Sequence, residues 1–80
     1  MKIHVRRRHI EEGKRGDCEL CPLALAFREI SAARCRVYAN RLYSGEPSNS
    51  RYFDLPPPAQ RFIARFDAGK PVKPFAFVLK

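Results

Sequence analysis

Polar and β-branched side chains alternate at the start of the chain. Lys2, Ile3, His4 and Val5 set Ile3 and Val5 on one side and two polar groups on the other, the period of a half-buried strand. Arg7 to Glu12 reads as a short helical turn closed by Gly13, a residue able to take the left-handed conformation that ends helices. Gly13 and Gly16 bracket a loop, and then the period changes. Pro22 sits well at a first helical position, and Asp17 and Glu19 place negative charge ahead of it, so a helix is expected from Cys21-Pro22 to about Ala33. Leu23, Ala26, Phe27 and Ile30 recur at spacings of three and four and predict its core-facing stripe.

Alternation returns at Arg34 to Ala39, with Cys35, Val37 and Ala39 on one face and Arg34, Arg36 and Tyr38 on the other. Asn40 begins a turn, Arg41 to Tyr43 comes back as a partner strand, and Gly45 to Ser50 is made of residues that turns prefer. Arg51 to Leu55 predicts a further short strand, stopped by Pro56, Pro57 and Pro58. A second long helix follows, in which Ala59, Phe62, Ile63 and Phe66 fall at i, i+3, i+4 and i+7 before Gly69. Phe75, Phe77 and Leu79 alternate with Ala76 and Val78 and predict a strand apolar on both faces. The elements add up to one α+β domain over residues 1–80. We expect a small, mostly antiparallel sheet of roughly three to five strands, with two main helices packed on one face.

Apolar residues at 45% and charged residues at 30% fit a folded chain and argue against disorder. No stretch approaches the roughly 18 to 20 apolar residues of a membrane helix, and basic Met1 to His9 lacks a following apolar segment, so a cytoplasmic location without a membrane partner is expected. Three cysteines, an odd number, point to reduced thiols or a metal site rather than to paired disulfides. Charge changes the picture most. Sixteen Lys and Arg against eight Asp and Glu give +8, an excess that draws nucleic acid, a nucleoprotein or an acidic protein face. The plain alternative is a solvated surface whose charge only keeps the protein in solution.

Two groups of cations carry that reading. Arg6, Arg7, Arg8, Lys14 and Arg15, with His4 and His9, form the densest cluster, and guanidinium groups grip phosphate oxygens in pairs. Its bland counterpart is a solvated turn partly neutralised by Glu11 and Glu12. Arg34, Arg36, Tyr38, Arg41, Tyr43 and Arg51 could form a basic, aromatic sheet face of the kind that stacks bases, or simply the solvent side of a half-covered sheet. Cys18 and Cys21 form a C-x-x-C pair that, with Cys35 and His9 or His4, could bind structural zinc. Buried small cysteines are the default reading, and a redox role for the pair lacks the usual βαβ context. No G-x-S-x-G, Walker loop, H-E-x-x-H or facing carboxylate pair is present, so catalysis is not expected.

Ile10, Gly13, the run Cys21 to Ala26 and the run Phe62 to Phe77 resemble a family of small uncharacterised bacteriophage and prophage proteins, through the signatures CPxALA and F-D-x-G-x-P-V-x-P-F-x-F. The resemblance spans both ends of the chain, leaves out Arg34 to Asp54 and brings no activity with it. It implies a phage product in a bacterial cytoplasm. The combined expectation is a non-enzymatic binding protein that docks its basic surface on a host target and inhibits or regulates it. That target would be nucleic acid or a nucleoprotein complex, a CRISPR-type defence complex among the options. A plain nucleic-acid-binding accessory protein and a small zinc-stabilised module are the alternatives.

Overall fold

Each short amphipathic element here can offer the core one face, and the chain assembles enough such faces from five strands and three helices. The computed structural model describes all residues, Met1–Lys80. In order they are β1 (Lys2–Val5), α1 (Arg7–Glu12), α2 (Pro22–Ser31), β2 (Cys35–Val37), β3 (Arg41–Ser44), a single 3-10 turn at Pro47–Asn49, β4 (Arg51–Asp54), α3 (Pro57–Asp67) and β5 (Phe75–Val78). The class is α+β. The strands divide between two antiparallel sheets, a β1-β5 pair and a β2-β3-β4 meander. Short turns let β2, β3 and β4 pair with their neighbours in sequence, so β1 is left to find β5 across the whole chain.

In the two-stranded sheet Ile3 pairs with Phe77 and Val5 with Phe75, and the four face inward. His4 opposite Ala76 and Lys2 opposite Val78 form the outer side. Strand β5 is thus apolar on both faces, as its alternation predicts, and buried on one. No element covers that outer side, and Ala76 and Val78 are exposed.

Helix α2 packs on β1 of one sheet and on β2 of the other, which makes it the joint between them. Leu23, Ala24, Ala26 and Phe27 are buried, and the Phe27 ring lies 6.3 Å from Phe53 of β4. Ile30, read as the end of the core stripe, is instead 57% exposed. The helix stops one residue later at Ser31, where Ala32 turns left-handed (φ 56°). Ala39 is likewise exposed, because β2 ends at Val37 and Ala39 falls in the turn. Along α3, Ala59, Phe62, Ile63 and Phe66 are buried as their spacing predicts, and Phe62 stacks on Phe75 of β5 at 4.7 Å. These residues belong to one hydrophobic cluster of 17 side chains that reaches both sheets.

Gly69 (φ 77°) follows α3 in the left-handed conformation expected of a helix stop. Gly13 does not. Its φ of −68° suits any residue, and what demands glycine is proximity: a Cβ there would lie 2.7 Å from Pro22 Cδ and 2.9 Å from the His9 carbonyl oxygen. No helix is long and apolar enough to cross a membrane.

Candidate functional site on the outer face of the meander

Strand parity builds this surface. Cys35, Val37, Leu42 and Phe53 turn toward the core, so the residues between them turn outward. The register then aligns Arg36 with Tyr43 and Tyr43 with Tyr52, one row across all three strands. Beside it Arg41 pairs with Asp54, and Tyr38, one residue past β2, donates its N–H to the Arg41 carbonyl at 2.8 Å. Tyr38 meets Tyr43 edge-on at 5.6 Å between ring centres, and Tyr43 lies 6.1 Å from Tyr52. The guanidinium of Arg36 sits 5.4 Å from the centre of the Tyr43 ring, and that of Arg41 sits 4.4 Å from the Tyr52 ring. Cation–π contacts of this kind stabilise by about 0.5–1 kcal/mol at exposed positions. Tyr38 and Tyr52 remain 46% and 55% exposed.

Aromatic residues are thus sorted by side of the sheet. All three tyrosines of the chain stand on this one face, whereas the six phenylalanines are buried in the core or packed against it. The charges of the face are partly balanced. Arg41 Nε donates to Asp54 Oδ1 at 3.1 Å, and Tyr43 and Asp54 both favour its cation, raising its pKa further. Arg34 donates to Glu19 Oε1 at 2.9 Å and lies 3.7 Å from Glu46. Arg36 has no carboxylate partner, and its Nε–H is buried without an acceptor. Such an unmet donor costs about 1–3 kcal/mol, which a guanidinium swinging to meet an incoming oxygen would recover.

Arg51 is not part of the row. It pairs with Ser44, which pairs with Cys35, so by parity it belongs to the opposite face at the end of the sheet. Tyr52 holds the place the sequence reading gave to Arg51. The signal was present in the inward pull of Phe53 and Leu55, which fixes Tyr52 and Asp54 as outward.

The amino-terminal cations stand elsewhere, on α1 and the adjoining segments. Arg6, Arg7, Arg8, Lys14 and Arg15 are all exposed, and so is His4. Arg8 donates to both oxygens of Glu29 in α2, at 2.7 Å to Oε2. His9, grouped with this surface cluster by sequence, is 3% exposed. Its Nδ1 accepts the Arg6 backbone N–H at 2.8 Å and caps α1, which leaves the ring proton on Nε2, 2.6 Å from Glu29 Oε2. That hydrogen bond, with the Arg8 and Arg6 charges after it, holds the Glu29 carboxyl below its ordinary 4.5. A third cationic area was missed. Arg61 and Arg65, four apart on α3, line with Lys73 a groove of about 360 Å³ beside Phe62 and Phe75, and none of the three has a carboxylate partner. Their i, i+4 spacing off the apolar stripe was the available clue.

The cysteines do not form the metal set considered from sequence. Cys18, Cys21 and Cys35 are free, the last two buried, and burial pushes their thiols up to about 11 and about 12 respectively. Zinc takes thiolates and neutral imidazole nitrogens with a free lone pair, whereas both ring nitrogens of His9 are committed to Arg6 and Glu29. Nowhere do three or more His, Cys, Asp or Glu side chains converge as ligands. The largest hollow, about 370 Å³, lies between Cys18, Val37, Tyr38 and α3. Its carboxylates serve loop structure: Asp67 accepts from Gly16 N–H, and Asp17 from Glu19 and Leu20 N–H.

The chain matches no family model, no curated protein and no solved structure.

Proposed function

We propose that this chain is a non-catalytic binding protein for a nucleic-acid-bearing target. One observation carries the reading: of sixteen Lys and Arg side chains, only Arg8, Arg34 and Arg41 have a carboxylate partner, so most of the positive charge is free to meet a polyanion. The outer face of the meander adds rings to that charge, and the clusters around α1 and α3 extend the field around the molecule. On the phage context that the sequence signatures imply, the target is a host nucleoprotein complex, a CRISPR-type defence complex among them, which the protein inhibits by occupancy. The accessory nucleic-acid-binding reading differs in needing no protein in the target.

The test has two arms. Binding to duplex and single-stranded nucleic acid is measured at about 50 and 200 mM salt, where phosphate-driven affinity should fall steeply. In parallel, complexes recovered from a bacterial lysate are compared before and after nuclease treatment. Binding to free nucleic acid, or recovery of a nuclease-sensitive nucleoprotein, supports the proposal. If neither occurs even at the lower salt, the surplus charge serves only solubility and the proposal fails.

A further inference from the structure

Resting on that reading, we infer that Tyr38, Tyr43 and Tyr52 form a stacking platform for the unpaired bases of a single-stranded nucleic acid, with Arg36 supplying the adjoining phosphate contact. The first argument is the sorting of aromatics. A ring left in water forgoes the stabilisation that burial would give it, yet Tyr38 and Tyr52 are about half exposed while every phenylalanine is engaged with the core. The three rings are also contiguous, with centres 5.6 and 6.1 Å apart, so they present adjacent surfaces to neighbouring bases of an unstacked strand.

The second argument is shape. Strands lie about 4.8 Å apart, so the outer side of a three-stranded sheet is a shallow surface roughly 10 Å across, with no helix projecting from it into a groove. A duplex keeps its bases stacked on each other and would offer this surface only phosphates. Two of the guanidiniums here, Arg34 and Arg41, already hold carboxylates, which leaves Arg36 as the uncompensated cation. The surface is therefore rich in rings and modest in free charge, the balance that favours bases over backbone. Arg41, anchored by Asp54, lies over Tyr52 and steadies that ring, which leaves Arg36 as the guanidinium free to turn toward phosphate.

The chain contains no tryptophan and no tyrosine beyond these three, so its intrinsic fluorescence above phenylalanine reports this surface alone. The experiment titrates the whole protein with oligonucleotides of about 12 nucleotides: oligoadenylate and oligothymidylate as DNA and RNA, the abasic backbone of the same length, and a duplex. Single strands should quench tyrosine emission and bind at least about tenfold tighter than the abasic backbone. Tyr38→Ser and Tyr52→Ser should each weaken single-strand binding about 5- to 100-fold and leave abasic binding unchanged, while Tyr52→Phe, which keeps the ring, should retain it. Both side chains are exposed, so the variants should stay folded with only a few degrees' loss of melting temperature from the ring contacts removed, and the wild-type comparison with the abasic strand stands whether or not they fold. If abasic strand and duplex bind as well as single strands, without quenching, the platform is wrong while the polyanion reading survives. If no oligonucleotide binds, the platform is wrong, and the polyanion reading then stands or falls on recovery of the nuclease-sensitive nucleoprotein.

Discussion

Replacing Gly13 by alanine sets two effects against each other, and the structure decides between them. At φ −68° and ψ 150° alanine is at ease, so backbone entropy alone would make Gly13→Ala stabilising by about 0.4–1 kcal/mol. The added methyl, however, would lie 2.7 and 2.8 Å from two carbons of the Pro22 ring and 2.9 Å from the His9 carbonyl oxygen. Carbon atoms rest at about 3.5–4.0 Å, so the overlap approaches an ångström. Neither neighbour is the loose end of a side chain: Pro22 is buried at the start of α2, and the carbonyl belongs to α1. Overpacking of this kind costs about 1–3 kcal/mol, and the net should be a loss of about 1–2 kcal/mol. For a domain of this size that lowers the melting temperature by roughly 5–15 °C. Circular dichroism melts and urea titrations measure it. Gly16→Ala is the comparator, since its φ of 70° penalises alanine although nothing lies within 4 Å. Adding Pro22→Ala should recover part of the Gly13→Ala loss by opening space. A Gly13→Ala protein that melts at or above the wild type would refute the argument from close approach.

The thiols should react unequally. Near pH 8, a chromogenic disulfide reagent is expected to modify half-exposed Cys18 readily and to reach Cys21 and Cys35 only on unfolding; three equal fast reactions would count against the burial described. Because both buried thiols are raised above their ordinary 9.0, their contribution to stability is complete below that value. It should be lost as pH climbs through about 11 and about 12, which an alkaline unfolding series can follow. Glu29 has the opposite sign. Its lowered pKa favours the fold above 4.5 and ceases to do so as pH falls through the folded value. The melting-temperature gap between wild type and Glu29→Gln should therefore be widest near neutrality and close in acid, and a gap independent of pH would remove the His9–Glu29–Arg8 cluster as its cause.

Local periodicity made much of this molecule legible. The strands at Lys2–Val5 and Arg51–Asp54 and the stripe Ala59, Phe62, Ile63 and Phe66 could be read from spacing because neighbours in sequence settle them. What escaped depends on distant partners. The burial of His9 is decided by Glu29, twenty residues away, and by a helix cap in which histidine takes the place usual for glutamate or glutamine. Whether five strands make one sheet or two turns on β1 pairing with β5 and with nothing else. Gly13 looked like a conformational glycine because its approach to Pro22 exists only after α1 and α2 have docked. At the candidate site the rule was adequate and the choice of residue was not. Alternation outward from Phe53 selects Tyr52, whereas attention to charge selected Arg51.

The union of β1 with β5 has a consequence for how the polypeptide is born. Lys2–Val5 is translated well before its hydrogen-bonded partner, Phe75–Val78. Until that partner is made Ile3 and Val5 have no strand beside them, and the loop to be closed is the longest the molecule contains, a late and slow kind of contact. The growing chain should stay open to protease until Phe75–Val78 has emerged and then become resistant in one step, so that abrupt protection of stalled nascent chains would mark the pairing of β1 with β5.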